Sequence, residues 1–131
     1  MSAAPKIRSQ EALPIGGKMP LMLNARLALD TAGVNGRLLV PFDAYIEAVY
    51  IKVATAPTST ASVINIGKAG DSDYFLTDGL SIGTTYGTAL ENITGLLTER
   101  NVTAGDLLEI SNSGASTNAA IADSLIVLRA K

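Results

Sequence analysis

Hydrophobic residues recur at every second position over much of the chain. Leu21, Leu23, Ala25, Leu27 and Leu29 alternate with Met22, Asn24, Arg26, Ala28 and Asp30, a period of two that predicts a half-buried strand. Residues 31–36 carry Gly and Asn where a turn needs positive φ. In GRLLVPFD, Leu38, Val40 and Phe42 share one face, and Pro41 within the run predicts an edge strand or a bulge, since proline cannot donate to the ladder. AYIEAVYIKVAT, residues 44–55, is the longest β-rich stretch. Strict alternation gives it two faces, Tyr45/Glu47/Val49/Ile51/Val53 and Ile46/Ala48/Tyr50/Lys52, both partly apolar.

After a Pro/Thr/Ser turn at residues 56–60, ASVINIG predicts a strand with Ile64 and Ile66 on one side. GDSDYFLTDG predicts a brief strand at residues 74–76 between acidic turns. Residues 80–100 are the least readable: residues 89–97 suit a helical turn or a strand, and Gly83, Gly87 and Gly95 weaken both. In GDLLEISNSG, Leu108 and Ile110 point inward and Leu107 and Glu109 outward. SLIVLRA holds four consecutive apolar residues, Leu125, Ile126, Val127 and Leu128, the mark of a strand buried on both faces. About eight short strands between Gly/Thr/Asn turns predict an all-β fold, an antiparallel sandwich or a barrel. No long helix, repeat or heptad is present.

Residues 1–20 follow neither period. They hold Pro5, Pro14, Pro20, Gly16 and Gly17 among scattered charges, and predict an extended N-terminal arm reaching at most about 70 Å at roughly 3.5 Å per residue. Its sparse apolar residues, Ile7, Leu13 and Ile15, suit a tether that orders on a partner as well as a frayed end. Residues 21–131 are then expected to form a single β-sandwich domain.

Composition narrows the functions. The chain has 131 residues, 47% hydrophobic but only 5% aromatic and 17% charged, against about 25% charged in an average soluble domain. Either the exterior is covered by Thr, Ser, Asn, Gly and Ala, or part of it is buried against other subunits, where charge is depleted. With no His and no Cys, imidazole bases, disulfides and thiolate metal sites are excluded. A net charge of −2 without a basic cluster argues against nucleic acid. No apolar run approaches the ~18 residues of a membrane span, and the first twenty residues lack a signal-peptide core. Assembly in the cytoplasm and no membrane association are the expectations.

Candidate chemistry is thin. Asp71, Asp73 and Asp78 could offer oxygens to Ca²⁺, but the calcium-loop spacing is not met; they are read as turn residues, and no metal or other cofactor is expected. Gly16-Gly17-Lys18 lacks the first Gly and the Ser/Thr of a phosphate loop. Asp43 with Glu47, or Glu91 with Glu99, could be paired as glycosidase acids, without the aromatic platforms sugars need. Lys52 and Lys68 are the only bases placed to activate a hydroxyl, and both suit surface positions. Asn92-Ile93-Thr94 and Asn101-Val102-Thr103 match the glycosylation sequon without a secretory route. The expectation is a protein that is not an enzyme, with no catalytic, cofactor or metal residues.

The cadence GRLLVPFDAYIEAVYIKVATAPTSTASVINIGKAG, then VTAGDLLEIS, then SLIVLRA resembles the small β-sandwich virion proteins that decorate or cement capsids of tailed bacteriophages. The resemblance rests on Pro41-Phe42-Asp43, Ala56-Pro57, Ile64-Asn65-Ile66-Gly67 and Ala104-Gly105-Asp106, and covers roughly residues 36–130. It implies a jelly-roll-like protomer acting as a homo-oligomer, commonly a homotrimer. Such a protomer sits outside the shell at three-fold or quasi-three-fold positions and binds the major capsid protein, its arm lying across neighbouring subunits. The implied location is the virion, after assembly in the host cytoplasm. Similar phrases occur in phage tail and fibre modules, so the alternative is a receptor- or carbohydrate-binding β-module.

Overall fold

The structure, a computed structural model, describes residues 20–131; residues 1–19, and with them nearly all of the expected arm, lie outside the described residues. Pro20 belongs to the first strand, one residue earlier than the pattern suggests. Strand β1 (Pro20–Ala28) buries Leu23, Ala25 and Leu27 and exposes the residues between them, as the period of two requires. A turn over residues 29–32 leads to β2 (Gly33–Leu39), which begins inside the segment expected to be loop. β2 stops before Pro41 and lies at a sheet edge, as the proline demands.

β3 (Ala44–Thr55) corrects the two-faced reading of this stretch. The register against β9 (Ile121–Ala130) shifts between Ile46 and Ala48, so Glu47 is the extra residue of a β-bulge. Ala44 and Ile46 before it, and Val49, Ile51 and Val53 after it, are thereby all buried. One core face changes phase at the bulge, where strict alternation gave two half-apolar faces.

β4 (Ser62–Lys68) buries Ile64 and Ile66. The expected strand at residues 74–76 is instead a loop with a single bridge between Lys68 and Asp71. It is pinned because Phe75 is fully buried, donates its N–H to Ile66 O (3.0 Å) and accepts one from Thr98 N–H (2.9 Å). Gly67 makes this approach possible: a Cβ there would lie 2.2 Å from Asp71 O. β5 (Leu80–Ile82) follows. The unreadable region holds both expected forms: β6 (Glu91–Asn92), a 3-10 turn (Thr94–Leu96) and β7 (Asn101–Val102). β8 (Leu107–Ser113) buries Leu108 and Ile110 and leaves Leu107 and Glu109 half-buried.

Among the described residues nine strands thus form two antiparallel sheets, β1-β9-β3-β6 with β7 also on β3, and β2-β8-β4-β5. β7 pairs the start of β3 and β6 its middle, both on the same edge, so they occupy one interrupted strand position. Every connection between strand positions except β4 to β5 crosses from one sheet to the other, which is the wrapping of a jelly roll. The core between the sheets is aliphatic apart from Phe75, as the low aromatic content requires. Buried polar side chains are satisfied: among the described residues none lacks a hydrogen-bond partner. Asn112, for example, accepts from Asn35 Nδ2 (2.7 Å) and donates to Ser62 Oγ (3.2 Å). Among the described residues no helix is long and apolar enough to cross a membrane.

Candidate interaction surface

β9 is central in its sheet, and its apolar run does not bury evenly. Ile126 and Leu128 are fully buried, whereas Leu125 and Val127 are half-buried on the outer face. Register puts outward residues of three strands in rows. Met22, Val127 and Ala48 form one row, and Asn24, Leu125 and Tyr50 the next. Met22 is 59% exposed. Beside the second row lies a groove of about 420 Å³ whose lining includes Asn24, Tyr50, Lys52, Leu90, Asp123 and Leu125, and Leu90 is two-thirds exposed.

Two-pronged ion pairs close this apolar strip at both ends. Arg26 reaches Asp123 directly across β1 and β9 (Nε–Oδ1 2.9 Å, NH2–Oδ2 3.1 Å). Arg129 reaches Glu47 at the bulge (Nε–Oε2 3.1 Å, NH2–Oε1 2.9 Å). The hydrogen bonds from Arg26 and Arg129 hold the Asp123 and Glu47 carboxyls below the usual range. Lys52 is occupied by the carbonyl of Thr88 (2.8 Å). The face is therefore apolar in its middle and charge-neutralised at its ends, suited to apolar and main-chain contacts with another protein. Sequence reasoning missed it because Met22, Ala48, Leu125 and Val127 become neighbours only through register.

The residues singled out from sequence are dispersed among separate local partners. The carboxyls of Asp71 and Asp73 share a hydrogen bond that raises the pKa of Asp71, and Asp78 is exposed. Among the described residues, no group of three or more His, Cys, Asp or Glu could hold a metal ion. Asp43 Oδ1 accepts the Ala104 N–H (2.9 Å). Glu99 Oε2 accepts the N–H groups of Asn101 and Arg100 (both 2.9 Å), which lower its pKa. Glu91 lies against Tyr86, whose phenol is raised first by burial and then by that carboxylate. Lys68 sits 4.0 Å above the Tyr74 ring and 4.0 Å from Asp106. In the two sequons, Asn92 accepts the Thr94 N–H (3.0 Å) and Asn101 donates to Glu99 (3.0 Å). Each group serves a turn or a strand end.

No protein-family model matches this chain, and no curated protein does. Two solved structures are similar in fold. One is a chain of the acid-stable capsid structure of Helicobacter pylori bacteriophage KHP30, with a TM-score of 0.57 and 17% identity over 86% of this chain and 89% of that one. The other is a chain of the capsid asymmetric unit of cyanophage Pam1, with a TM-score of 0.54 and 16% identity over 88% and 87%. At such identity the likeness establishes one thing, that this all-β sandwich shares its fold with chains found in phage capsids.

Proposed function

We propose that this chain is a non-enzymatic structural protein of a bacteriophage particle, bound to the outside of the capsid as an oligomer and reinforcing contacts between capsid subunits. The observation that carries the reading is the likeness in fold to two phage capsid chains, near-complete in both directions. Since similar shares of each pair are covered, the matched chains are about as long as this one. That supports a small component bound to a shell over the subunit that builds it. The low charge, 17% of residues, and the apolar outer strip around Met22, Val127 and Leu125 suit contact with protein and not with nucleic acid or a membrane.

In this reading the major capsid protein is the partner, the oligomer is a trimer at three-fold or quasi-three-fold positions, and residues 1–20 act as an attachment arm. The work is mechanical. Each protomer spreads contact area over neighbouring subunits, and several linked copies multiply a modest affinity. No reactive group is needed.

The test uses particles assembled with and without the protein. Those lacking it should lose their contents at lower temperature, and adding the purified protein should restore the higher value. Indifference of particle stability to the protein would refute the reinforcing role. Restoration by protein lacking residues 1–19 at the same concentration would remove the arm from attachment.

A further inference from the structure

The two sheets present four lateral edges among the described residues, and three are blunted. β5 has three residues, and the edge opposite β1 is split into β6 and β7 of two residues each. β2 is broken by a bulge between Val34 and Gly36 and halts before Pro41. These are the devices by which sheets avoid pairing with other chains. β1 is nine residues long and has no bulge, its one proline standing at the first residue: its register with β9 runs unshifted from Pro20 opposite Arg129 to Ala28 opposite Ile121.

The open part of this edge is symmetric. The N–H of Ala28 turns away from β9 and donates to Asn35 Oδ1 (3.2 Å). Alternate residues of an antiparallel strand point their main-chain groups the same way, so Arg26, Asn24 and Met22 also direct theirs outward. Pro20 has no N–H to offer. The available donors are therefore those of Met22, Asn24 and Arg26, centred on Asn24 and bounded by a proline and a capped alanine.

We propose that this edge pairs antiparallel with the β1 edge of a second copy about a two-fold axis at Asn24, joining two sheets into one. Met22 then lies beside Arg26 of the second copy, and Leu23 beside Ala25 of the second copy, large against small. Leu23 and Ala25 are buried but keep a 7% exposure that Leu27, further along the strand, lacks, so the little apolar surface left on this edge lies where the second copy would cover it. Arg26 is already neutralised by Asp123, and its methylene stem is free to lie over Met22. The row of Tyr50, Leu125 and Asn24 then runs on across the axis into the same row of the second copy. The proposal rests on the reading that copies lie side by side on a shell, and it supplies a contact distinct from a three-fold one. An edge this short is small beside the ~1,200 Å² of a stable interface, so it acts through many copies at high local concentration.

The chain has no cysteine, which makes the test direct. Residues opposite each other in such a pair have Cα atoms about 5.5 Å apart, within disulfide range. Under mild oxidation at high protein concentration, the Asn24→Cys variant should form a covalent dimer at least about tenfold faster than Leu39→Cys, placed on the blunted β2 edge, because the edge raises its effective concentration. Asn24→Lys, which sets like charges opposite each other, should abolish the association of oligomers with one another that sedimentation velocity is expected to show at high protein concentration, while leaving the three-fold oligomer intact. Equal oxidation rates for the two cysteine variants, or association between oligomers that is absent from the parent protein or untouched by Asn24→Lys, would overturn the proposal. If that happens while the protein still binds particles, the edge contact falls and the shell reading stands. Preferential dimerisation without particle binding would instead support the edge contact and sink the shell reading.

Discussion

Replacing Leu128 and Leu125 by alanine, one at a time, tests the alternation of β9 that divides the core from the outer face. Leu128 is fully buried, opposite Leu21 and Ile46. Its truncation removes three carbons worth ~0.8 kcal/mol each in transfer energy. Packed sheets on both sides restrict collapse, so the void raises the total to about 3–5 kcal/mol. Leu125, half-buried on the groove between Asn24 and Tyr50, already meets solvent and leaves no enclosed void. Its loss should be about 1 kcal/mol. At a urea m-value of ~2 kcal/mol/M, the midpoint should fall by about 2 M for Leu128→Ala and about 0.5 M for Leu125→Ala. Far-UV circular dichroism at one fixed protein concentration reads both. Equal losses, or the larger loss at Leu125, would refute the assigned register of the central strand.

The bulge makes a second, asymmetric prediction. Deleting Glu47 removes the extra residue and leaves Ile46 and Val49 on the core face, so the protein should stay folded. Deleting Tyr50 should unfold it, by turning Ile51 and Val53 outward; soluble yield and thermal melts compare the two. A third prediction concerns acid. Glu47 and Asp123 are held below the ordinary range by Arg129 and Arg26, so their stabilisation is present above the unfolded carboxylate pKa of about 4. It is lost as pH falls through their lower folded values. Asp71 works in reverse: its pKa is raised by Asp73, so its contribution grows as pH falls and is lost as pH rises through that folded value. Melting curves across the acid range should show Arg26→Gln and Arg129→Gln flattening the acid loss, and Asp73→Asn removing the opposing effect.

Much of the fold was legible because one-sided burial imposes a period of two. Leu23/Ala25/Leu27, Ile64/Ile66 and Leu108/Ile110 could be assigned inward from pattern alone, and all are buried. The failures share a cause: pattern assumes regular local geometry. Glu47 breaks the phase of β3 with one bulged residue, and what read as a second apolar face belongs to the same core. Four consecutive apolar residues from Leu125 carry no phase, so the pattern put some in the sandwich and some at an interface without saying which; Ile126 and Leu128 are core, and Leu125 and Val127 line the outer face. Residues 74–76 contain a core aromatic and so resembled a strand, but Phe75 is held by hydrogen bonds to residues distant in sequence. The outer strip depends on three strands meeting in register, information that no local window contains.

Whether the protein is part of a phage shell is tested most directly by electron cryo-microscopy of particles assembled from the genome that encodes this chain. The expected result is jelly-roll density, matching the two sheets described above, on the outer capsid surface at symmetry-related positions astride neighbouring capsid subunits. Absence of the chain from purified particles, or its density confined to the tail, would contradict a capsid-reinforcing role.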